Sequence, residues 1–289
     1  MGNIESVQRI NQAIDYIHKN LDKNLTAEQI ADYCCFSRFY FSRMFRAVMS
    51  ESVYSFIKRR KLENAAFLLR TKTNMSVTDI ALRNGYSPSN FASTFKEHYG
   101  ISATEYRKKN DMPPNDSYIA VVEHIRKMKE MQDYFGIIHR KIKIRKIEGM
   151  SLFYERFVGN YCDLPDFWEA FCKKVEKEQL INENTRFIGI SYDNPLIIDE
   201  NRCITDVCIS VESVGGPNIH IIEEGYYACY EFHDKVINIA KAYNEMFSLW
   251  LPFCEYDLDH RLPLEIYHTV SDAGDRVHMD ICIPIVKED

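Results

Sequence analysis

"TAEQIADYCCFSRFYFSRMFR", residues 26–46, returns 50 residues later, without a gap, as "SVTDIALRNGYSPSNFASTFK", residues 76–96. Ile30 falls on Ile80, Ala31 on Ala81, Phe36 on Tyr86, Ser37 on Ser87, Phe41 on Phe91 and Phe45 on Phe95. Further on, Ser52 meets Ser102 and Phe56 meets Tyr106. The apolar frame is shared and the polar positions mostly differ, as in two copies of one folding unit with different surface tasks. Thr26 or Ser76 is suited to N-cap a short helix whose buried face is Ile-Ala. A tight turn follows at Cys35-Phe36 or Gly85-Tyr86. Ser37 or Ser87 then caps a second helix, with Pro88 in the first turn of the second copy. Phenylalanines four residues apart anchor that helix inward. The layout predicts two helix-turn-helix units, over 26–46 and 76–96.

With Phe41, Met44 and Phe45 inside, the first recognition helix turns Arg38, Phe39, Ser42, Arg43 and Arg46 outward. The second presents Pro88, Ser89, Asn90, Ala92, Ser93 and Lys96. Arginine can bond guanine in a bidentate way, asparagine can read adenine, and small apolar surfaces meet the thymine methyl. Cys34 and Cys35 do not recur, since their counterparts are Asn84 and Gly85. That argues against metal or redox chemistry at the pair. Between the copies, "SVYSFIKRRKLENAAFLLR" (52–70) predicts a helix of about 28 Å. It can hold two recognition helices one turn of B-DNA apart, about 34 Å, so that one chain reads two successive major grooves. Within it, Lys58 and Arg60 belong to a basic run suited to phosphate.

Charge divides the chain. Residues 1–110 carry 17 Lys and Arg against 10 Asp and Glu, whereas residues 111–289 carry 19 against 32. A basic unit suited to a polyanion is joined to an acidic one that would repel it. "NDMPPNDS" (110–117) marks the boundary, because its prolines and turn formers cannot continue a helix. "SYIAVVEHIRKMKEMQDYF" (117–135) reads as a connecting helix, and residues 111–140 as linker plus that helix. No apolar run approaches the length of a membrane span. The nine cysteines include no Cys-x-x-Cys and sit mostly among apolar residues, which fits a reducing cytoplasm without disulfides, metal or cofactor.

From Lys141 the pattern reads strand, strand, helix, strand, strand, and then repeats with offsets of 74 to 76 residues. A diverged duplication over 141–289 predicts two modules about a pseudo-twofold axis, with a continuous sheet and a cleft. Gly189 falls on Glu265, so one half offers room where the other offers a carboxylate on an apolar strand. Tyr154, Trp168, Tyr192, Tyr230, Trp250 and Tyr267 are candidate cleft walls. Aromatic walls about one buried carboxylate suit a small lipophilic cation. Glu265 as a general base helped by a tyrosine, in a hydrolase, is the alternative. No nucleophile triad, metal cluster or phosphate loop accompanies it.

Residues 6–108 resemble the DNA-binding domain of AraC/XylS-type transcription regulators, through "LTAEQIAD", "FSRFYFSRMF", "YSFIKRRKLENAAFLL", "VTDIALRNGYS" and "FKEHYGISATEYRK". The resemblance implies base contacts from Phe39, Ser42 and Arg43, and from Ser89, Asn90 and Ser93. Cys35 departs from it, standing where the family usually has glycine, which predicts a slightly strained turn. Residues 141–287 resemble the GyrI-like (Rob/BmrR-type) effector-binding domain, through "GISYDNP", "EEGYYACYEFHD", "WLP", "PLEIY" and "MDICIPI". In drug-sensing members the position matching Glu265 holds lipophilic cations. The implied fold is multidomain: an all-α double helix-turn-helix domain, 1–110, then a duplicated β-β-α-β-β domain, 141–289. The implied partners are double-stranded DNA, a small lipophilic effector and RNA polymerase, with no membrane.

Overall fold

Both copies of the repeated stretch fold alike. The computed structural model describes residues 2–72, 74–108, 131–193, 202–212, 215–271 and 274–287. The expected linker 110–117, and the connecting helix as far as residue 130, lie outside them. The chain divides into two compact units, Met1–Asn110 and Asp111–Asp289.

In the first unit, α1 (Gly2–Lys19) precedes α2 (Ala27–Tyr33) and α3 (Arg38–Met49). The spacer α4 (Val53–Thr71) then leads to α5 (Val77–Arg83), α6 (Pro88–Tyr99) and α7 (Ala103–Lys108). Every predicted cap is made, and Ser52 adds one at the start of α4. Thr26 forms a capping box with Gln29, and the hydroxyls of Ser37, Ser52, Ser76 and Ser87 accept from backbone amides three residues on. Each such cap contributes on the order of 1 kcal/mol. Phe41 and Phe45 are buried, and Phe45 meets Phe56 edge-on at 5.4 Å; Phe95 meets Tyr106 likewise at 5.3 Å. The 50-residue repeat is therefore a repeat of core contacts as well as of letters.

The supporting helices repeat too, with a different offset. Ile10, Ala13, Ile14 and Ile17 on α1 and Leu62, Ala65, Ala66 and Leu69 on α4, 52 residues on, are all fully buried. The connection 20–26 is two residues longer than 72–76, which shifts the register and hides this part of the repeat from a gapless comparison. The repeating unit is thus three helices.

Among the described residues, the second unit runs from α8 (Met131–Lys141) through β1 (Ile142–Ile147), β2 (Met150–Gly159), α9 (Leu164–Lys177), β3 (Phe187–Ser191) and β4 (Cys203–Val211). The second half is β5 (Ile219–Ile222), β6 (Gly225–Lys235), α10 (Ile239–Asn244), β7 (Tyr256–Leu258), β8 (Leu264–Val270) and β9 (Arg276–Lys287). After α10 the chain runs on through a π-helical turn, Glu245–Trp250. Apart from the short β7, this is the expected β-β-α-β-β repeat.

The strands pair antiparallel in the order β1-β6-β9-β8-β3-β4-β2-β5, with β7 added beside β9. Read from either end, the order gives equivalent strands: β1, β6, β9, β8 from one and β5, β2, β4, β3 from the other. Each half lends its first strand to the other half, and β3 meets β8 at the centre. There Gly189 is paired with Glu265. An offset of 76 also carries Gly189 onto Glu265, so the pseudo-twofold axis passes through this pair. One sheet face packs under α9 through Phe171, Val175, Val207 and Ile209, and under α8 and α10 through Ile138, Tyr243, Met279 and Ile281. The opposite face carries Leu152, Tyr154, Ile188, Cys208, Cys229 and Cys282.

The strain expected at the first turn is present. Cys35 has φ 57 and Gly85, its counterpart, φ 73. A side chain in the left-handed region costs about 1–2 kcal/mol, partly offset by a restricted unfolded chain. Cys35→Gly is expected to raise stability by about 0.5–1 kcal/mol and Cys35→Val to lower it, as read by urea denaturation.

Candidate functional site

The DNA-facing residues follow from the inward phenylalanines. On α3, Arg38, Phe39, Ser42, Arg43 and Arg46 are exposed, and Phe39 is 89% exposed although it is apolar. On α6, Ser89, Asn90, Ser93 and Lys96 are exposed. The Arg43 guanidinium rests 5.8 Å from the Tyr40 ring, which limits its freedom at the surface. The Ser93 hydroxyl donates back to the carbonyl of Asn90 at 3.0 Å, so in this state it is occupied by its own helix.

The basic run on the spacer requires a correction. Arg60 is buried and donates to Glu63 at 2.7 Å; it does not stand on a phosphate-facing surface. Arg59 joins the same cluster, bonding Glu51 at 2.6 Å and Glu63 at 2.9 Å. The reason is that α4 is packed on most sides, with 13 of its 19 residues buried. Lys58 is half-exposed and pairs with the exposed Glu97 at 3.4 Å.

In the second unit the axis pair forms a carboxylate site. Glu265 is 6% exposed and makes no ion pair with any described residue. Three hydroxyls donate to it instead. Tyr243, from α10, reaches Oε1 at 2.5 Å; Ser191, from β3, reaches Oε1 at 3.2 Å; Tyr267, two residues along β8, reaches Oε2 at 2.9 Å. Such bonds offset desolvation without cancelling the charge. A Cβ at position 189 would stand 3.0 Å from Glu265 Oε2, so the missing side chain is what gives the carboxylate its room. Burial first, and the adjacent carboxylate second, push the Tyr243 and Tyr267 hydroxyls well above the ordinary tyrosine value. Both therefore stay protonated and act as donors. Trp168 meets Tyr267 edge-on at 5.2 Å. The buried hydroxyl of Tyr161 is shifted the same way, by burial first and then by Asp193, Cys203 and Glu265.

Only part of the expected aromatic wall gathers here. Trp168 and Tyr267 do. Tyr154 and Tyr192 lie on the opposite sheet face, because side chains alternate along a strand. There Arg156 and His220 bond Asp206, Tyr192 donates to Asp206 at 2.9 Å, and Tyr154 stacks on His220 at 3.9 Å. Burial pushes the Asp206 carboxyl up, but Arg156 and His220 more than offset it and hold it low. Tyr230 donates to Glu245 at 2.7 Å and accepts from Lys141. Trp250 donates to His139 at 3.1 Å and lines a separate open pocket of about 380 Å³ with Phe135, Phe253 and Tyr256. Sequence reasoning missed Tyr243, Ser191 and Tyr161. Ser191 was within reach, since it shares a strand face with Gly189, two residues away.

The GyrI-like small molecule binding domain matches residues 140–286, about half of the chain, and a helix-turn-helix domain matches residues 30–109. The transcriptional activator AarP of Providencia stuartii is 34% identical over 99 residues, which are 34% of this chain and 73% of AarP. The regulatory protein SoxS of Salmonella typhimurium is 32% identical over 103 residues, 35% of this chain and 95% of SoxS. The regulator AlkR of Acinetobacter baylyi is 30% identical over 102 residues, 35% of this chain but only 33% of AlkR. Among solved structures, the C-terminal domain of EcmrR is similar with a TM-score of 0.43 and 15% identity, covering 51% of this chain and 98% of that one. No described helix is long and apolar enough to cross a membrane.

Because the unfolded chain releases tyrosine protons near pH 10.0 while Tyr243 and Tyr267 hold theirs, the folded state binds more protons there. Stability is therefore complete below the ordinary tyrosine value and falls as pH rises above it. Ultraviolet titration is expected to show phenolates that form only on unfolding, and fewer of them in Tyr243→Phe.

Proposed function

The chain belongs to the GyrI-like family and carries an AraC-type helix-turn-helix domain, which makes it a transcription regulator, and from that premise we propose how each half works. The first unit reads two successive major grooves, with Phe39, Ser42 and Arg43 in one and Ser89, Asn90 and Ser93 in the other. Arg38, Arg46 and Lys96 border these faces and suit phosphate. The second unit senses a small lipophilic cation beside Glu265. The observation that carries this is a buried carboxylate held by neutral hydroxyls, with no ion pair to any described residue and aromatic rings next to it. A cation there gains a full Coulomb partner that a neutral molecule cannot use, with aromatic rings beside it.

Regulation requires that the cation bind two states of the chain unequally. Residues 111–140 are the covalent route between the units. In this reading the DNA-bound chain acts on transcription through RNA polymerase. The hydrolase reading draws no support from the relatives, which are named as transcription regulators.

For DNA, Arg43→Ala is expected to relax specificity at one base position at a cost of about 1–3 kcal/mol. Competition binding with singly mutated duplexes measures it, and an equal loss on every sequence would reassign Arg43 to phosphate.

For the effector, calorimetry with tetraphenylphosphonium and a neutral aromatic of similar size tests the charge. Glu265→Gln is expected to weaken the cation about tenfold or more and to leave the neutral compound nearly unchanged. Parallel losses for both compounds would remove the charge-recognition reading.

A further inference from the structure

The two helix-turn-helix units differ in what surrounds their turns. Both turns use the left-handed conformation, yet one holds Cys35 and the other Gly85. The left-handed φ favours glycine at both turns, and at the second a buried ammonium also stands close by. A Cβ on Gly85 would stand 2.7 Å from Lys61 Nζ, 3.5 Å from the Asp22 carbonyl oxygen and 3.6 Å from Asn24 Oδ1.

Lys61 comes from the spacer α4, is 7% exposed, and donates to the Lys23 carbonyl at 2.9 Å. The segment 22–24 leads into the first helix-turn-helix unit, whereas Gly85 is the turn of the second. A single ammonium therefore sits where the two units come together. The turn at Gly85 is tied to α4 by a hydrogen bond: Asn64 donates to Asn84 Oδ1 at 2.8 Å, and Asn84 donates to the Ile80 carbonyl at 2.8 Å.

The equivalent position on α1, 52 residues earlier, is Arg9. Its Nη1 donates to the Cys34 carbonyl at 3.0 Å, and its guanidinium lies 5.3 Å from the Phe36 ring. Arg9 thus grips the turn of its own unit. Lys61 occupies the matching place but reaches back to the preceding unit, and its ammonium uses the space a side chain at 85 would fill. The two cations are related by the repeat and divided by task.

The geometry points to Lys61 as a positioning residue for DNA reading: wedged between segment 22–24 and Gly85, its ammonium sets the second helix-turn-helix unit against the first, and with it the groove-to-groove register. This rests on the reading that both recognition helices contact one DNA molecule. Lys61 touches no DNA itself in this role. A buried lysine is costly to leave without its hydrogen bond, so the ammonium holds α4 to the Lys23 carbonyl, and the Asn64–Asn84 bond carries that position on to the second turn.

The test uses the full chain and a duplex selected by it from a random-sequence pool. One added base pair between the two protected halves separates them by about 3.4 Å and turns them by about 34°. The unsubstituted chain is expected to lose about tenfold or more in affinity on that insertion. Lys61→Met, which keeps the stem and the apolar packing, is expected to lose much less on insertion while keeping the base preferences within each half. The same insertion penalty in both proteins, or a loss of preference spread over both halves, overturns the inference. A DNA-free measurement separates it from the two-groove reading, which fails by itself when only one half is protected. In Lys61→Met, amides of 22–24 and 84–86 are expected to exchange about tenfold faster than in the unsubstituted chain, with α3 and α6 unchanged. Unchanged exchange in those two segments also overturns it.

Discussion

A carboxylate on the axis of a duplicated sheet is the constraint around which the second unit is arranged. Two copies of one module that meet through β3 and β8 bring a residue and its own counterpart side by side. Two carboxylates at that point would repel each other in a dry interior, and two large side chains would not fit. Glycine on one strand and glutamate on the other resolve both problems. The asymmetry then propagates. Tyr243 and Ser191 converge on Oε1, Tyr267 takes Oε2, and Trp168 closes against Tyr267. Nothing cationic among the described residues neutralises the charge, which makes the site receptive to a cation from outside.

The first unit solves a different problem with the same device of duplication. Its frame is repeated aromatic packing, and its variable part is the exposed face of α3 and α6. Charge in this unit does two jobs that composition cannot separate. Arg38, Arg43 and Arg46 stand in solvent, whereas Arg59, Arg60 and Lys61 are consumed by internal contacts of the spacer. A net positive charge therefore overstates the surface available to DNA. The buried cluster of Arg59, Arg60, Glu51 and Glu63 holds a helix that both halves of the unit must pack against.

Legibility followed the range of the interactions. Caps, turns and the inward phenylalanines depend on residues three to five apart, and all were readable, down to the left-handed Cys35. The duplication and a continuous sheet about a pseudo-twofold axis were also readable, although the strand order, with its exchange of first strands between halves, was not. Of the six aromatics expected in the wall, only Trp168 and Tyr267 stand beside Glu265. Tyr154 and Tyr192 have the right chemistry but the wrong strand parity, which sends them to the face where Asp206 is paired with Arg156 and hydrogen-bonded to His220. Arg60 failed for a related reason, because a basic run on a helix looks solvated until the partners on both sides are placed.

The sequence by itself determined two duplicated units, the caps and turns of the helices, the outward face of each recognition helix and the pairing of Gly189 with Glu265 as counterparts. These depend on local periodicity and on the comparison of the chain with itself. It took the folded unit to show that the counterparts are also neighbours, that Tyr243 arrives from a helix 22 residues away to bond the carboxylate, and that Lys61 is buried against the Lys23 carbonyl rather than a surface charge. Those facts depend on which sheet face and which helix side meet across long loops. Strand parity and packing settle that only once the whole unit has closed.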